Sequence, residues 1–395
     1  MQVRRKQKID KLLGYFLIGL LWPFTRLLGL LMRRDHTLHE APQRIVLIKL
    51  LGLGSLVLAS DAIAMIRDKY PDARLILLTD RNIAAGIRPF GLYDEIREVD
   101  SNHFFRTCRQ MLAFLFESWT WRRLCIVDLE VYSKLTTILS LLTCARNRFG
   151  FILPSVSFRK YLNTHNVLFD QSVVLEDNYT NMAVALSGTG AARPALLTAR
   201  TGEHQKRYIL FNNTCSSLAY VRKLPEQTLS AISGWVLDNT GYDIAFLGMS
   251  EDRAEIDQFI EKEAIFNARK SRIRNYAGQS GSFDAYYDFL RTEGVCLVTI
   301  DSGPLHLAKK LGLPTLSLWG PTKPEHYLKI HPGEEERHLV YYLQTSCSPC
   351  IHRYEELPCG GDNICMKQLE EKVIIGKMKQ LLDYLSAPKE IERKA

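Results

Sequence analysis

Residues 299–327 read TIDSGPLHLAKKLGLPTLSLWGPTKPEHY. The run leading into this stretch, Val295 to Ile300, is apolar and rich in β-branched residues, the pattern of a parallel strand covered on both faces. Leu305, Leu307, Ala308 and Leu311 then recur at helical spacing, and Gly312 with Pro314 stops the helix. A second apolar run, Thr315 to Trp319, ends in Gly320-Pro321-Thr322. The order is strand, tight turn, helix, strand, tight turn. Ligands of open parallel sheets bind at the carboxyl ends of strands. A helix that begins there offers N–H groups and a positive dipole end, which suit a phosphate. Asp301-Ser302-Gly303 and Gly320-Pro321-Thr322 would both lie at that edge. The same residues would also serve a plain capped turn, so the rest of the chain has to decide.

The alternation extends well beyond this stretch. Arg44 to Ile48 is strand-like, Gly52-Leu53-Gly54-Ser55 is a glycine turn, and Leu56 to Lys69 is helix-like. Arg74 to Thr79 and Leu124 to Leu129 read as further strands, with a helix from Ser133 to Leu142 and another from Asn178 to Leu186. A Gly/Ala/Pro/Thr-rich linker, residues 188–203, separates this half from a second series. There Tyr208 to Phe211 and Asp243 to Leu247 are strands flanking a helix from Pro225 to Leu237. Such alternation predicts two doubly wound parallel α/β halves, with a ligand cleft between them. A length of 395 residues accommodates two such cores.

The formal charge of +8 is modest and concentrated in the first 35 residues, where Arg4, Arg5, Lys6, Lys8, Lys11, Arg26, Arg33 and Arg34 face two aspartates. No basic stripe interleaved with aromatics and no nucleic-acid module is present, which argues against a nucleic-acid partner. Between the basic flanks lies LLGYFLIGLLWPFTRLLGLLMRR, interrupted by Pro23 and Arg26. A straight membrane span needs about 20 apolar residues. The segment therefore predicts a kinked helix lying in the cytoplasmic leaflet, with a tilted single span as the alternative. Five of the nine cysteines stand alone in apolar surroundings and suit a reducing compartment. Cys347, Cys350, Cys359 and Cys365 cluster within 19 residues and have the composition of a tetrahedral structural zinc site. Reduced thiols packing an irregular loop is the other reading.

The block Asp301 to Ala308, with Leu311-Gly312-Leu313-Pro314 and Gly320-Pro321-Thr322, resembles the heptosyltransferase family, glycosyltransferase family 9. Arg44-Ile45 through Gly52-Leu53-Gly54, Tyr70-Pro71-Asp72-Ala73, Asp128-Leu129-Glu130, Phe149-Gly150-Phe151 and Arg222-Lys223-Leu224-Pro225 resemble its other motifs. The resemblance spans roughly residues 44–385. It implies the GT-B fold, with a Rossmann-like acceptor domain at 41–200 and a Rossmann-like nucleotide-sugar domain at 201–345; the basic, apolar segment at 1–40 and the cysteine-rich loop with a C-terminal helix at 346–395 flank them.

The Ser302 and Gly303 amides are then assigned to a diphosphate, with Gly320 and Thr322 beside them and Arg222 or Lys223 as countercharge. Asp301 would orient the turn or a sugar hydroxyl. His306, one turn into the helix, reads equally as ligand contact or packing residue. No metal is needed for this chemistry. Family members commonly carry an aspartate, proposed as general base, where this chain has Ser55, and a serine alone cannot serve. Glu130, at a strand's carboxyl end, ranks ahead of Asp61 as the substitute base.

The expected activity is inverting transfer of a sugar from a nucleotide donor to a lipopolysaccharide or other membrane-linked glycan at the inner face of the cytoplasmic membrane. A nucleotide-sugar epimerase and an inactive, membrane-tethered binding subunit are the alternatives.

Overall fold

The computed structural model describes residues 13–23, 27, 36–188, 207–215, 217–351, 353–354 and 356–387. The basic residues of the amino-terminal flanks and the linker from residue 189 onward lie outside them. The chain forms two compact units, residues 1–198 and 199–395.

Each unit is built on a six-stranded, all-parallel sheet. The first has the order β3-β2-β1-β4-β5-β6, from β1 (Arg44–Ile48), β2 (Arg74–Asp80), β3 (Glu95–Val99), β4 (Leu124–Asp128), β5 (Asn147–Ile152) and β6 (His165–Leu168). The second has the order β12-β11-β10-β7-β8-β9. Its strands are β7 (Tyr208–Asn212), β8 (Asp243–Phe246), β9 (Ile273–Asn275), β10 (Gly294–Ile300), β11 (Thr315–Trp319) and β12 (His338–Tyr342). Of the interior strands, β10 and β11 are buried at every residue, which is why they read as unbroken apolar runs.

The two sheets share one winding plan. Three strands are laid down in one direction, the chain returns to the first, and three more grow the other way. The reversal leaves a crevice at the carboxyl ends of two neighbouring strands. In the first unit these are β1 and β4, with Ile48 paired to Asp128. In the second they are β7 and β10, with Asn212 paired to Thr299. Lys49 and Glu130 therefore leave one sheet side by side, as Asn212 and Asp301 leave the other.

The core of the first unit holds Val46, Ile48, Ile76, Leu78 and Ile126, alternate strand residues on one sheet face, under Phe114, Leu115 and Leu139 of two helices. The helices Leu53–Lys69 and Leu175–Ser187 pack against each other elsewhere in the unit. The core of the second unit takes residues from the helices Glu226–Asn239, Arg253–Lys262 and Glu371–Ser386.

Residues 13–23 are helical, about 16 Å long at 1.5 Å per residue. No helix among the described residues is long and apolar enough to cross a membrane, so the single-span alternative has no support.

Candidate active site

The crevice of the second unit gathers most of the residues assigned to the donor. Ser302 is the extended N-cap of the helix Gly303–Lys310 (φ −158°, ψ 168°), yet its side chain does not cap that helix. Its hydroxyl instead accepts from Asn212 Nδ2 at 3.0 Å and lies 3.2 Å from Thr299 Oγ1. The helix's opening amides are thus not covered by the residue best placed to cover them.

Asp301 ties the site together. Its buried carboxylate accepts from Thr322 Oγ1 at 2.7 Å and sits 3.4 Å from Arg222 Nη1, which also donates to the Asp301 carbonyl at 3.2 Å. His306 Nε2 is 3.9 Å from the same carboxylate, beyond hydrogen-bond range. Asp301, Ser302, Gly303, Arg222, His306 and Thr322 therefore meet. Lys223 does not join them: its ammonium pairs with Glu255 at 2.6 Å on the surface.

Two buried nitrogens in this cluster, Arg222 Nε and His306 Nδ1, have no partner among the described residues. An unpaired buried polar group costs about 1–3 kcal/mol, and a ligand is one of the few things that accounts for two of them in one crevice. Burial pushes the His306 imidazole down to about 4, with the Asp301 carboxylate opposing and Arg222 and Lys309 reinforcing. It is neutral at pH 7 and able to donate or accept.

The crevice of the first unit is filled differently. Glu130 is buried, and its carboxylate takes the Lys49 ammonium at 2.9 Å and the Leu50 and Leu51 amides at 2.8 Å each. Burial alone would lower the Lys49 pKa, but Glu130, with Tyr179 and Asp128, more than offsets it and the net shift is upward. Beneath lies a second buried pair, Asp128 with Arg159, whose guanidinium also donates to the Glu130 and Val131 carbonyls. Ser55 is hydrogen-bonded to the buried Tyr179, whose phenol is raised by that burial. Gly52 turns the chain at φ 85°, and Gly54 opens the following helix. Asp61 is half-buried two turns along that helix.

The cysteine-rich loop lies across the donor crevice. The Cys350 and Ile351 amides donate to the Pro321 carbonyl at 3.0 and 3.2 Å, Ser348 Oγ donates to the Gly320 carbonyl, and Asn363 Nδ2 donates to the Lys223 carbonyl at 2.9 Å. A β-carbon on Gly320 would come within 2.8 Å of Cys365 Sγ, so glycine is needed there for close approach rather than for an unusual dihedral. The loop thus clasps both segments that supply Arg222 and Thr322. Cys347, Cys350, Cys359 and Cys365 are free thiols; burial raises Cys365 to about 11, and the other three push it the same way. Among the described residues, no three His, Cys, Asp or Glu side chains are gathered to hold a metal ion.

Asn212, Lys49, Arg159 and Tyr179 were not singled out in the sequence. Asn212 and Lys49 share a signal, a polar residue directly at the end of an apolar strand run.

Two Rossmann-like units, each with a crevice at its own strand reversal, make up the GT-B architecture. The family model described as Glycosyltransferase family 9 (heptosyltransferase) matches residues 162–359, and the chain belongs to that family. The curated Lipooligosaccharide heptosyltransferase 2 of Campylobacter jejuni subsp. jejuni serotype O:2 is 32% identical over 85 residues, 22% of this chain and 25% of the relative. The match thus spans a quarter of that relative's length. The solved structure of E. coli ADP-heptose LPS heptosyltransferase II superposes with a TM-score of 0.65 at 16% identity, covering 87% of this chain and all of the other. E. coli heptosyltransferase WaaC with ADP gives 0.63 at 13% identity, with 87% and 100% covered.

Proposed function

We propose that this protein transfers a heptose-like sugar from an ADP-sugar to a lipopolysaccharide-type acceptor, as a peripheral enzyme on the cytoplasmic side of the inner membrane. One observation carries the reading: a helix start without a side-chain cap, beside two buried nitrogens that have no partner among the described residues, Arg222 Nε and His306 Nδ1. A diphosphate supplies acceptors for all of them. The Ser302 and Gly303 amides bind its oxygens, Arg222 neutralises charge, and neutral His306 contributes a hydrogen bond without adding a cation. Charge developing on the leaving diphosphate is stabilised by these fixed donors, and no catalytic metal is invoked. Asp301 acts through Thr322 and Arg222 as a positioning residue.

Inversion requires a base for the acceptor hydroxyl. Glu130 has its oxygens committed to Lys49 and two amides, and accepting a proton would break a buried ion pair. We assign it to holding the Lys49–Leu51 turn, and pass the base role to Asp61. Ser55, held by Tyr179, fills the family position without basic character. The four clustered cysteines are proposed to close on one structural zinc that stiffens the loop over Gly320-Pro321-Thr322.

Incubating the purified chain with labelled ADP-heptose and a lipopolysaccharide-type acceptor extract tests the proposal. Label appearing in the acceptor fraction supports it. Isomerised free donor would mean an epimerase. Donor bound without turnover would mean a binding subunit, the reading that Ser55 favours.

A further inference from the structure

Three helices of the first unit are linked by contacts. The helix Phe104–Ser118 packs against Lys134–Leu142, and the indole of Trp119 donates to the Leu142 carbonyl at 2.7 Å. The helix 13–23 is seated against Lys134, the first residue of Lys134–Leu142, and against Phe158 and Tyr161. Gly14 is pressed so closely on Lys134 that a β-carbon would lie 2.5 Å from the lysine's own, Lys134 Nζ stands 4.3 Å from the Tyr15 ring, and Tyr15 and Trp22 meet Phe158 and Tyr161 edge-on.

The outward faces of these helices are apolar. Phe104–Ser118 turns Phe114 and Leu115 into the core but leaves Phe105 86%, Leu112 53% and Phe116 60% exposed, at positions that fall on one stripe. The helix 13–23 exposes Phe16 at 70% and Leu20 at 64%. An array of this size has to be covered by something.

Charge decides what covers it. Across the three helices the only acid is Glu117, and Arg97 holds it at 2.6 Å. Arg109 and Arg122 are exposed along and just after the aromatic stripe, Arg123 pairs with Glu40 at 3.5 Å, and Lys160 stands 4.8 Å from the Tyr161 ring. In sequence the 13–23 helix is flanked by Arg4, Arg5, Lys6, Lys8 and Lys11 on one side and by Arg26, Arg33 and Arg34 on the other. Exposed aromatics and leucines with cations around them and no free carboxylate among them are complementary to anionic headgroups over acyl chains.

We propose that this three-helix face is the surface by which the protein seats on an anionic bilayer, with the helices lying in the plane of the interface. The proposal deepens the membrane-side reading above but does not need the transfer reaction, because seating is measured with neither donor nor acceptor present. A failed transfer assay leaves it standing, and its own failure leaves transfer to a soluble acceptor intact.

The test is co-sedimentation of the full chain with vesicles of phosphatidylethanolamine and phosphatidylglycerol, against vesicles of phosphatidylcholine alone. The wild type should pellet with the anionic vesicles, less so at high salt, and weakly with the neutral ones. Phe105→Asp with Phe116→Asp, and separately Phe16→Asp with Leu20→Asp, should each lower binding about tenfold or more. All four side chains are more than half exposed or nearly wholly exposed, so melting should be unchanged; the apolar swap Phe16→Leu should keep binding and guards against a misfolded pair. Wild-type binding by both charged pairs, or no sedimentation of the wild type with anionic vesicles, overturns the proposal. So does a lipid-free dimer that both pairs split into monomers, since a second copy would then be what covers the face.

Discussion

The two strand reversals are built alike and finished in opposite ways. In the first unit the crevice is closed by the protein's own charges: Lys49 on Glu130, and Arg159 on Asp128 below. In the second it is left short of partners, with Arg222 Nε and His306 Nδ1 buried and unpaired among the described residues around a helix start that has no side-chain cap. A fold that repeats its topology does not repeat its chemistry. The filled crevice reads as a scaffold for the turn that follows β1, and the unfilled one as the place where an anion completes the structure.

The sharpest way to break this contrast is Glu130→Gln. If the carboxylate is there to hold Lys49, the variant strands a buried ammonium and should cost about 3–5 kcal/mol, seen as an earlier transition in denaturant. Adding Lys49→Met should restore much of that loss. A Glu130→Gln protein of unchanged stability whose turnover falls by roughly 10²–10⁴-fold would instead make Glu130 the base and return the first crevice to catalysis.

At the open crevice the loss should appear in binding as well as in folding. Arg222→Ala removes a charge-assisted contact worth about 1.5–3 kcal/mol, so ADP affinity should weaken about tenfold or more, and melting should also fall because the buried Asp301 carboxylate loses its cation. Gly303→Val should crowd the diphosphate and do more. Calorimetric titration with ADP checks both. Native affinity in a folded Gly303→Val protein removes the donor site from this helix. Lys223→Ala, with its ammonium on Glu255, should change affinity little.

What the sequence revealed of this arrangement follows from where each signal lives. Strands such as β10 and β11 are buried on both faces, so their apolar runs stand out without context. The Asp301-Ser302-Gly303 turn was legible because every part of it is contiguous. Asn212 and Lys49 were not, because each gains meaning only from a partner 90 or 81 residues away that the sheet brings alongside. Glu130 was read correctly as an edge residue and could not be seen to be saturated, since its donors come from the loop after β1. The helix Phe104–Ser118 was not read in the sequence, although it keeps a helical period, with Phe114 and Leu115 facing the core while Arg106 and Arg109 are exposed.

A smaller effect is expected from the cysteine loop. If Cys347, Cys350, Cys359 and Cys365 close on zinc, elemental analysis should find about one metal per chain. Cys350→Ser should then release it and weaken ADP binding severalfold, because the Cys350 amide and its neighbour hold the Pro321 carbonyl beside Thr322. Metal-free protein with four titratable thiols and native ADP affinity would leave the loop as packing alone.

The smallest effect, acid sensitivity of the second unit, tests whether His306 belongs to the open crevice or to the core. Burial pushes both His306 and His338 down from 6.5 to about 4. A group whose folded pKa is depressed in this way is neutral in the fold while the unfolded chain takes up its proton. Its stabilising contribution is therefore complete above about pH 6.5 and declines as pH falls toward 4. Melting should drop by a few degrees between pH 7 and pH 5. His338, hydrogen-bonded through Nδ1 to Thr315 at 3.0 Å, has its partner in the protein. His338→Gln should flatten the pH dependence and leave ADP affinity alone. His306 Nδ1 has none among the described residues, so His306→Gln should flatten the pH dependence and also weaken ADP binding, by the severalfold that one neutral hydrogen bond of about 1 kcal/mol is worth. If His306→Gln alters only the acid response, the imidazole is a packing residue, and the open crevice keeps Arg222 and the helix amides as its anion donors.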